Sequence, residues 1–165
     1  MTMDEGPDSA PQLRGWRSLA AAILASTLIA GTLDICDALV FYGLRGTSPG
    51  LLLGVIASGL LGPAALANPM SGALIGLAIH YFITLTWSTL FVLAASRIRA
   101  LKTHAVVSGI LYGVVIYAVM NFVVLPHTRE VGHPAFQPVI LLNAVLALVL
   151  FMGLPIAIVN KRIAG

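Results

Sequence analysis

"TSPGLLLGVIASGLLGPAALANP", residues 47–69, carries no charged side chain at all. Whether it crosses a membrane decides the fold. Its helical part is bounded by Pro49 and Pro63, and proline interrupts a helix anywhere but in its first turn. About 13 residues remain, roughly 20 Å of helix at 1.5 Å per residue, against a hydrocarbon core of about 30 Å. The segment is too short to span.

Four longer apolar stretches surround it. They run from about Leu19 to Tyr42, Ala73 to Ala95, Ala105 to Leu125 and Pro138 to Val159. Each has the roughly 20 residues a spanning helix needs. Of the 165 residues, 59% are hydrophobic and only 9% charged, where a soluble domain carries about 25% charged residues. A mean hydropathy of +0.99 leaves too little polar surface to coat a soluble globule. The expected fold is therefore all-α and polytopic, with four transmembrane helices and a short outer-side helix over residues 50–61, lying flat or dipping in. Residues 1–16 read as a disordered cytoplasmic tail, and residues 17–165 as one transmembrane domain.

Loop charge supports this count. With four spans and the N-terminus inside, the cytoplasmic side holds Arg14, Arg17, Arg97, Arg99, Lys102, Lys161 and Arg162, and the outer side only Arg45 and Arg129. A fifth span would move Arg97, Arg99, Lys102, Lys161 and Arg162 outside, against the positive-inside rule. Both termini are thus expected in the cytoplasm. Arg14 and Arg17 ahead of an apolar run also resemble a signal peptide, with Ala30 before the cut. Against that, the apolar run resumes after Asp37, and Leu28 is large for the position three before the cut. The net charge of +3 is scattered between apolar runs and does not suggest nucleic acid. A single cysteine, Cys36, excludes an intrachain disulfide and a CxxC motif.

The first span contains "GTLDICDALVFYGLRG", residues 31–46, with Asp34 and Asp37 inside it and Arg45 at its end. Counted from the outer boundary, Asp34 lies roughly 12–15 Å deep, His80 roughly 12 Å, and Asn121 and Asn143 roughly 6–9 Å, with Asp37 one turn above Asp34. All five fall in the outer half, and the inner half has no ionisable residue. A charge at membrane depth costs at least about 2.5–3.5 kcal/mol and normally faces the bundle interior or water. Asp34, Asp37, His80, Asn121 and Asn143 are therefore expected to line a polar pocket open to the outer side. That pocket would take a proton, a cation or a small polar ligand. The bland counterpart is a set of interhelical hydrogen bonds that only fixes packing. The empty inner half favours a blind pocket over a proton wire.

Small residues mark the expected contacts. Gly76, His80 and Thr84 recur every four residues, as do Gly109, Gly113, Tyr117 and Asn121, and as do Gly50, Gly54, Ser58 and Gly62. Such stripes let helices approach closely, though a four-residue period drifts about 40° per step. Pro155 predicts a kink in the fourth span. The loop "LPHTREVGHP", with His127, Arg129, Glu130 and His133, reads as solvated rather than as a metal site. No nucleophile elbow, HExxH or phosphate loop is present. Asp34, Asp37 and His80 as an acid and base pair are the one enzymatic alternative. His80 lacks a second buried histidine for haem, and no cofactor is expected.

Taken together, "AGTLDI", "IASGLLG" and "YGVVIYAVMNFVVLP" resemble a family of small, four-helix, roughly YagU-like bacterial inner-membrane proteins. The resemblance spans about residues 20–160. It implies an inner-membrane location and suggests Asp34, Ser58, Gly59, His80 and Asn121 as motif positions. It supplies no substrate, and Asp37 departs from the pattern. The functional expectation is a non-enzymatic membrane protein in a transport or accessory role. The alternative is a structural or assembly subunit of a larger membrane complex. Four helices scarcely enclose a pathway, so transport would favour a homo-oligomer or a complex partner.

Overall fold

The computed structural model describes residues 9–129 and 137–165. Within them every element is helical. In chain order these are α1 (Ser9–Gly43), α2 (Pro49–Leu61), a 3-10 turn (Gly62–Leu66), α3 (Pro69–Arg97), α4 (Arg99–Thr103) and α5 (Ala105–Val119). A π segment (Met120–Val124) and a 3-10 turn (Leu125–His127) complete the helix of α5. The last long helix comprises α6 (Pro138–Ala147), a π segment (Leu148–Gly153) and α7 (Leu154–Ala164). Because α1 begins at Ser9, it takes in much of the stretch expected as a tail; residues 1–8 lie outside the described residues.

Local chemistry sets the helix ends. Ser48 caps α2 by accepting from the Leu51 amide at 3.3 Å, and Pro49 occupies the first turn. Asn68 caps α3, its Oδ1 accepting from Met70 and Ser71 at 3.1 and 3.2 Å ahead of Pro69. The π segment Leu148–Gly153 ends just before Pro155. That ring clashes with the carbonyl four residues back and offers no amide, so the winding loosens there, where a kink is expected. The Met120–Val124 segment stands in the same relation to Pro126.

Five stretches are long and apolar enough to cross a membrane: Gly15–Gly43, Pro49–Leu66, Pro69–Arg97, Ala105–His127 and Pro138–Ala164. This is one more than expected, because α2 and its 3-10 turn together reach 18 residues. They do not form one straight rod. Gly62 has φ +65 and ψ −155, a conformation open only to glycine, and the chain turns back there. On a continuous helix Gly54 and Leu66 would stand about 18 Å apart. Instead, a Cβ on Gly54 would meet Leu66 Cδ2 at 3.0 Å and the Ala65 carbonyl oxygen at 3.9 Å.

The long helices alternate in direction. Asn143 touches Asp37 and Ile156 touches Ser26, so α1 and the last helix run antiparallel. Gly109 packs on Gly153 and Gly113 on Val149, so α5 and the last helix do too. The Tyr112 hydroxyl meets the Trp87 carbonyl, and α4 joins α3 to α5 at the end beyond, making that pair antiparallel. It follows that α1 and α3 are antiparallel, and that α2 starts and finishes at the same end of the bundle. The other end gathers Arg17, Arg97, Arg99, Lys102, Lys161 and Arg162. There the Lys102 ammonium donates to the Ala164 carbonyl.

The molecule is apolar outside and partly polar inside. Leu24, Leu28, Phe82, Leu111 and Phe122 are all more than half exposed, whereas Ser26, Ser58, His80, Thr84, Ser88 and Asn160 are buried. A soluble domain does the reverse. An apolar core of Ala30, Phe91, Ala95, Ile116, Met152 and Ile156 lies among the long helices.

Candidate functional site

The stripe on α3 builds one wall of the site. Gly72, Gly76, His80, Thr84 and Ser88 are all buried. A Cβ on Gly76 would strike the Leu53 carbonyl, and one on Gly72 the Ala65 carbonyl, so these two glycines seat α2 and its turn on α3. One turn further along, His80 Nε2 lies 2.8 Å from the Gly31 carbonyl oxygen of α1. A carbonyl only accepts, so Nε2 carries the proton and donates. Gly31 permits this approach, since a Cβ there would meet the Tyr81 ring at 2.9 Å. The Thr84 hydroxyl donates to the His80 carbonyl at 3.0 Å, and the Thr32 and Tyr81 hydroxyls pair at 2.8 Å.

Two clefts meet at Asp34. The larger, about 400 Å³, is lined by Asp34, His80 and Thr84 together with apolar side chains from α2, α3, α5 and the last helix. Ile56, Gly59 and Leu60 of α2 roof it. The Arg129 amide ties down that roof by donating to the Gly59 carbonyl at 3.0 Å, one of the carbonyls a helix end leaves without a partner. The smaller cleft, about 170 Å³, is lined by Asp34, Asp37, Tyr42 and Asn143 among others. Within it the Asn143 amide donates to Asp37 Oδ2 at 3.0 Å.

The expected five-residue pocket is thus divided. Asp34 and His80 share the larger cleft without a hydrogen bond between them; Asp34, Asp37 and Asn143 share the smaller. Three residues along a helix is a rotation of about 300°, so Asp34 and Asp37 point some 60° apart and meet different neighbours. Asn121 joins neither cleft. It lies in the π segment after α5, where its amide donates back to the Tyr117 carbonyl at 3.0 Å. Its stripe has drifted off the contact by that point. Arg45 serves neither aspartate: its guanidinium lies 3.5 Å over the Phe41 ring and donates to the Phe41 carbonyl at 2.9 Å. Asp34 has no hydrogen-bond or ion-pair partner among the described residues.

The expected packing glycines divide as well. Gly54 and Gly76 sit at the α2–α3 contact, and Gly113 lies against Val149 and the Leu148 carbonyl. Ser58 is fully buried, its hydroxyl donating to the Val55 carbonyl at 2.6 Å. Gly50 does not pack: a Cβ there would meet nothing within 4 Å. Among the described residues no group of three or more His, Cys, Asp or Glu could hold a metal. Glu130 and His133 lie outside them.

Sequence reasoning missed Asn160. It is fully buried, and neither end of its amide has a partner among the described residues; the same holds for the Ser88 hydroxyl. Gly153, Ala157 and Asn160 follow at helical spacing on one face, but an apolar boundary drawn at Val159 hides the last of them. Trp87, which lines the larger cleft, was also missed. Compared with family models, curated proteins and solved structures, the chain matches none.

Proposed function

We propose that this chain is an inner-membrane protein that crosses the bilayer four times, with both termini in the cytoplasm. In this reading it binds a proton, a cation or a small polar ligand at Asp34, from the periplasmic side, in a transport or accessory role. The membrane part rests on the apolar exterior, and the orientation on the basic end of the bundle, which suits the cytoplasm under the positive-inside rule. The α2 segment then begins and ends outside, folded back at Gly62. The proposal includes kinship with the small YagU-like bacterial proteins that the chain resembles. It is a binding role, not a catalytic one.

One observation carries the ligand site: Asp34 lines both clefts and has no partner among the described residues. A carboxylate that served only packing would be hydrogen-bonded across helices, as Asp37 is to Asn143. That same Asp37 bond, with the His80 bond to Gly31, favours the second reading, a structural subunit whose polar groups lock helices together. Thermal unfolding of wild type and Asp34→Asn with and without ligand separates the two. A working site predicts that Asp34→Asn unfolds within a few degrees of wild type but loses ligand-dependent stabilisation. An unstable Asp34→Asn, with no ligand stabilising the wild type, supports the structural reading instead.

A further inference from the structure

The larger cleft, at about 400 Å³, falls within the range of roughly 300–1,000 Å³ typical of small-molecule sites. A proton or a bare metal ion needs none of that room. Mg²⁺ and Ca²⁺ also demand about six or more oxygen ligands. Among the described residues the cleft offers one carboxylate and the hydroxyls of Thr84 and Thr128, both already donating to backbone carbonyls. Apart from His80, whose Nε2 is taken by the Gly31 carbonyl, its remaining walls are apolar and aromatic, with Phe82, Ile83, Trp87, Ile116 and Met120 prominent.

Trp87 is held in place. The Tyr112 hydroxyl donates to its carbonyl at 2.7 Å, and the Tyr112 ring stands edge-on to the indole at 5.9 Å. The backbones of α3 and α5 scarcely touch, and side chains of both line the cleft. Phe82, at its mouth, is 68% exposed. Among the described residues Asp34 is the sole carboxylate lining the cleft, and no Lys or Arg is paired to it. An occupant that leaves this carboxylate unmatched loses the attraction that a low-dielectric site makes strong. An occupant without apolar surface leaves the aromatic walls against water.

We infer that the cleft between α2, α3 and α5 takes a monovalent organic cation with an apolar body, its amine or quaternary ammonium on Asp34 and its body against Trp87, Phe82 and Ile116. This rests on the reading of Asp34 as a ligand site and narrows the ligand class. One carboxylate matches one positive charge. Entry between α3 and α5 lets an amphiphile arrive from the bilayer itself.

The test uses the full chain in lipid nanodiscs, in a Trp16→Phe background that leaves Trp87 as the sole tryptophan of the two. The probes are phenyltrimethylammonium and its uncharged isostere tert-butylbenzene, with sodium and magnesium chloride as inorganic controls. Saturable quenching of Trp87 by phenyltrimethylammonium is expected, at least ten-fold tighter than by tert-butylbenzene. Asp34→Asn should weaken the charged probe by a similar factor and leave the neutral one unchanged. Equal binding of the two probes to wild type, or charged-probe binding indifferent to Asp34→Asn, overturns the inference. An Asp34-dependent response to sodium or magnesium alone, without one to the organic cation, overturns it too but leaves the ligand site standing. No Asp34-dependent response to any probe removes both. If Asp34→Asn does not reconstitute, the comparison of the two probes on wild type decides.

Discussion

Asp34 and Asp37 stand three residues apart on one helix and meet different surroundings. Asp37 is bonded to Asn143 and so ties α1 to α6. Asp34 faces the junction of two clefts with no partner among the described residues. Their substitutions should therefore differ in kind. In a double-mutant cycle, Asp37→Ala and Asn143→Leu should show a coupling of about 0.6–1.7 kcal/mol in unfolding free energy, the range of interhelical hydrogen bonds in bilayers. Asp34 and Asn143 should show almost none. A coupling confined to Asp34 would reverse the roles assigned here. Asn160 poses the opposite case, since a buried amide without partners costs about 1–3 kcal/mol. Asn160→Leu is therefore expected to raise the unfolding temperature, and a fall would mean that the amide has a partner beyond the described residues.

At the scale of elements, glycine decides which helices can touch. Gly76 lets the backbone of α2 lie directly on α3, with the Leu53 carbonyl where a Cβ would be. Backbone cannot swing aside as a flexible side chain can, so Gly76→Ala should lower the unfolding temperature and loosen α2. Gly50, in the same type of stripe, borders open space. Gly50→Ala should be neutral or stabilising, by up to about 0.5–1 kcal/mol from reduced backbone freedom. Gly54→Leu should disturb the contact with Leu66, already at 3.0 Å from a bare Cβ. Because α2 roofs the larger cleft, proteolysis of the 44–48 loop should quicken in Gly76→Ala and not in Gly50→Ala. Equal rates would show that the close contact does not hold α2 down.

For the whole molecule, the alternating helix directions and the basic end make one testable statement about orientation. Topology reporters fused near residue 100 and at residue 165 should both report cytoplasm, and one in the 44–48 loop should report the outer side. An external signal at either of the first two positions defeats the four-crossing arrangement. So does a cytoplasmic signal from the loop.

Much of this was readable in the chain. The helical class, the four long apolar runs, the short helix after Pro49 and the Gly76–His80–Thr84 face all follow from hydropathy, proline and a spacing near the helical period, which act within a few residues. The cost of placing an ionisable side chain in hydrocarbon likewise marked Asp34, Asp37 and His80 before any fold was known. Tertiary structure alone decided the rest. Length and composition pass residues 49–66 as a fifth stretch, and only the reversal at Gly62 shows that they fold back. Depth estimates put five polar residues at similar levels. Level says nothing about azimuth, and it was the rotation between Asp34 and Asp37, the π winding at Asn121 and the packing of the last helix on α1 that sorted them. Which carboxylate keeps a partner depends on side chains more than 100 residues apart, and no local rule of sequence reaches that far.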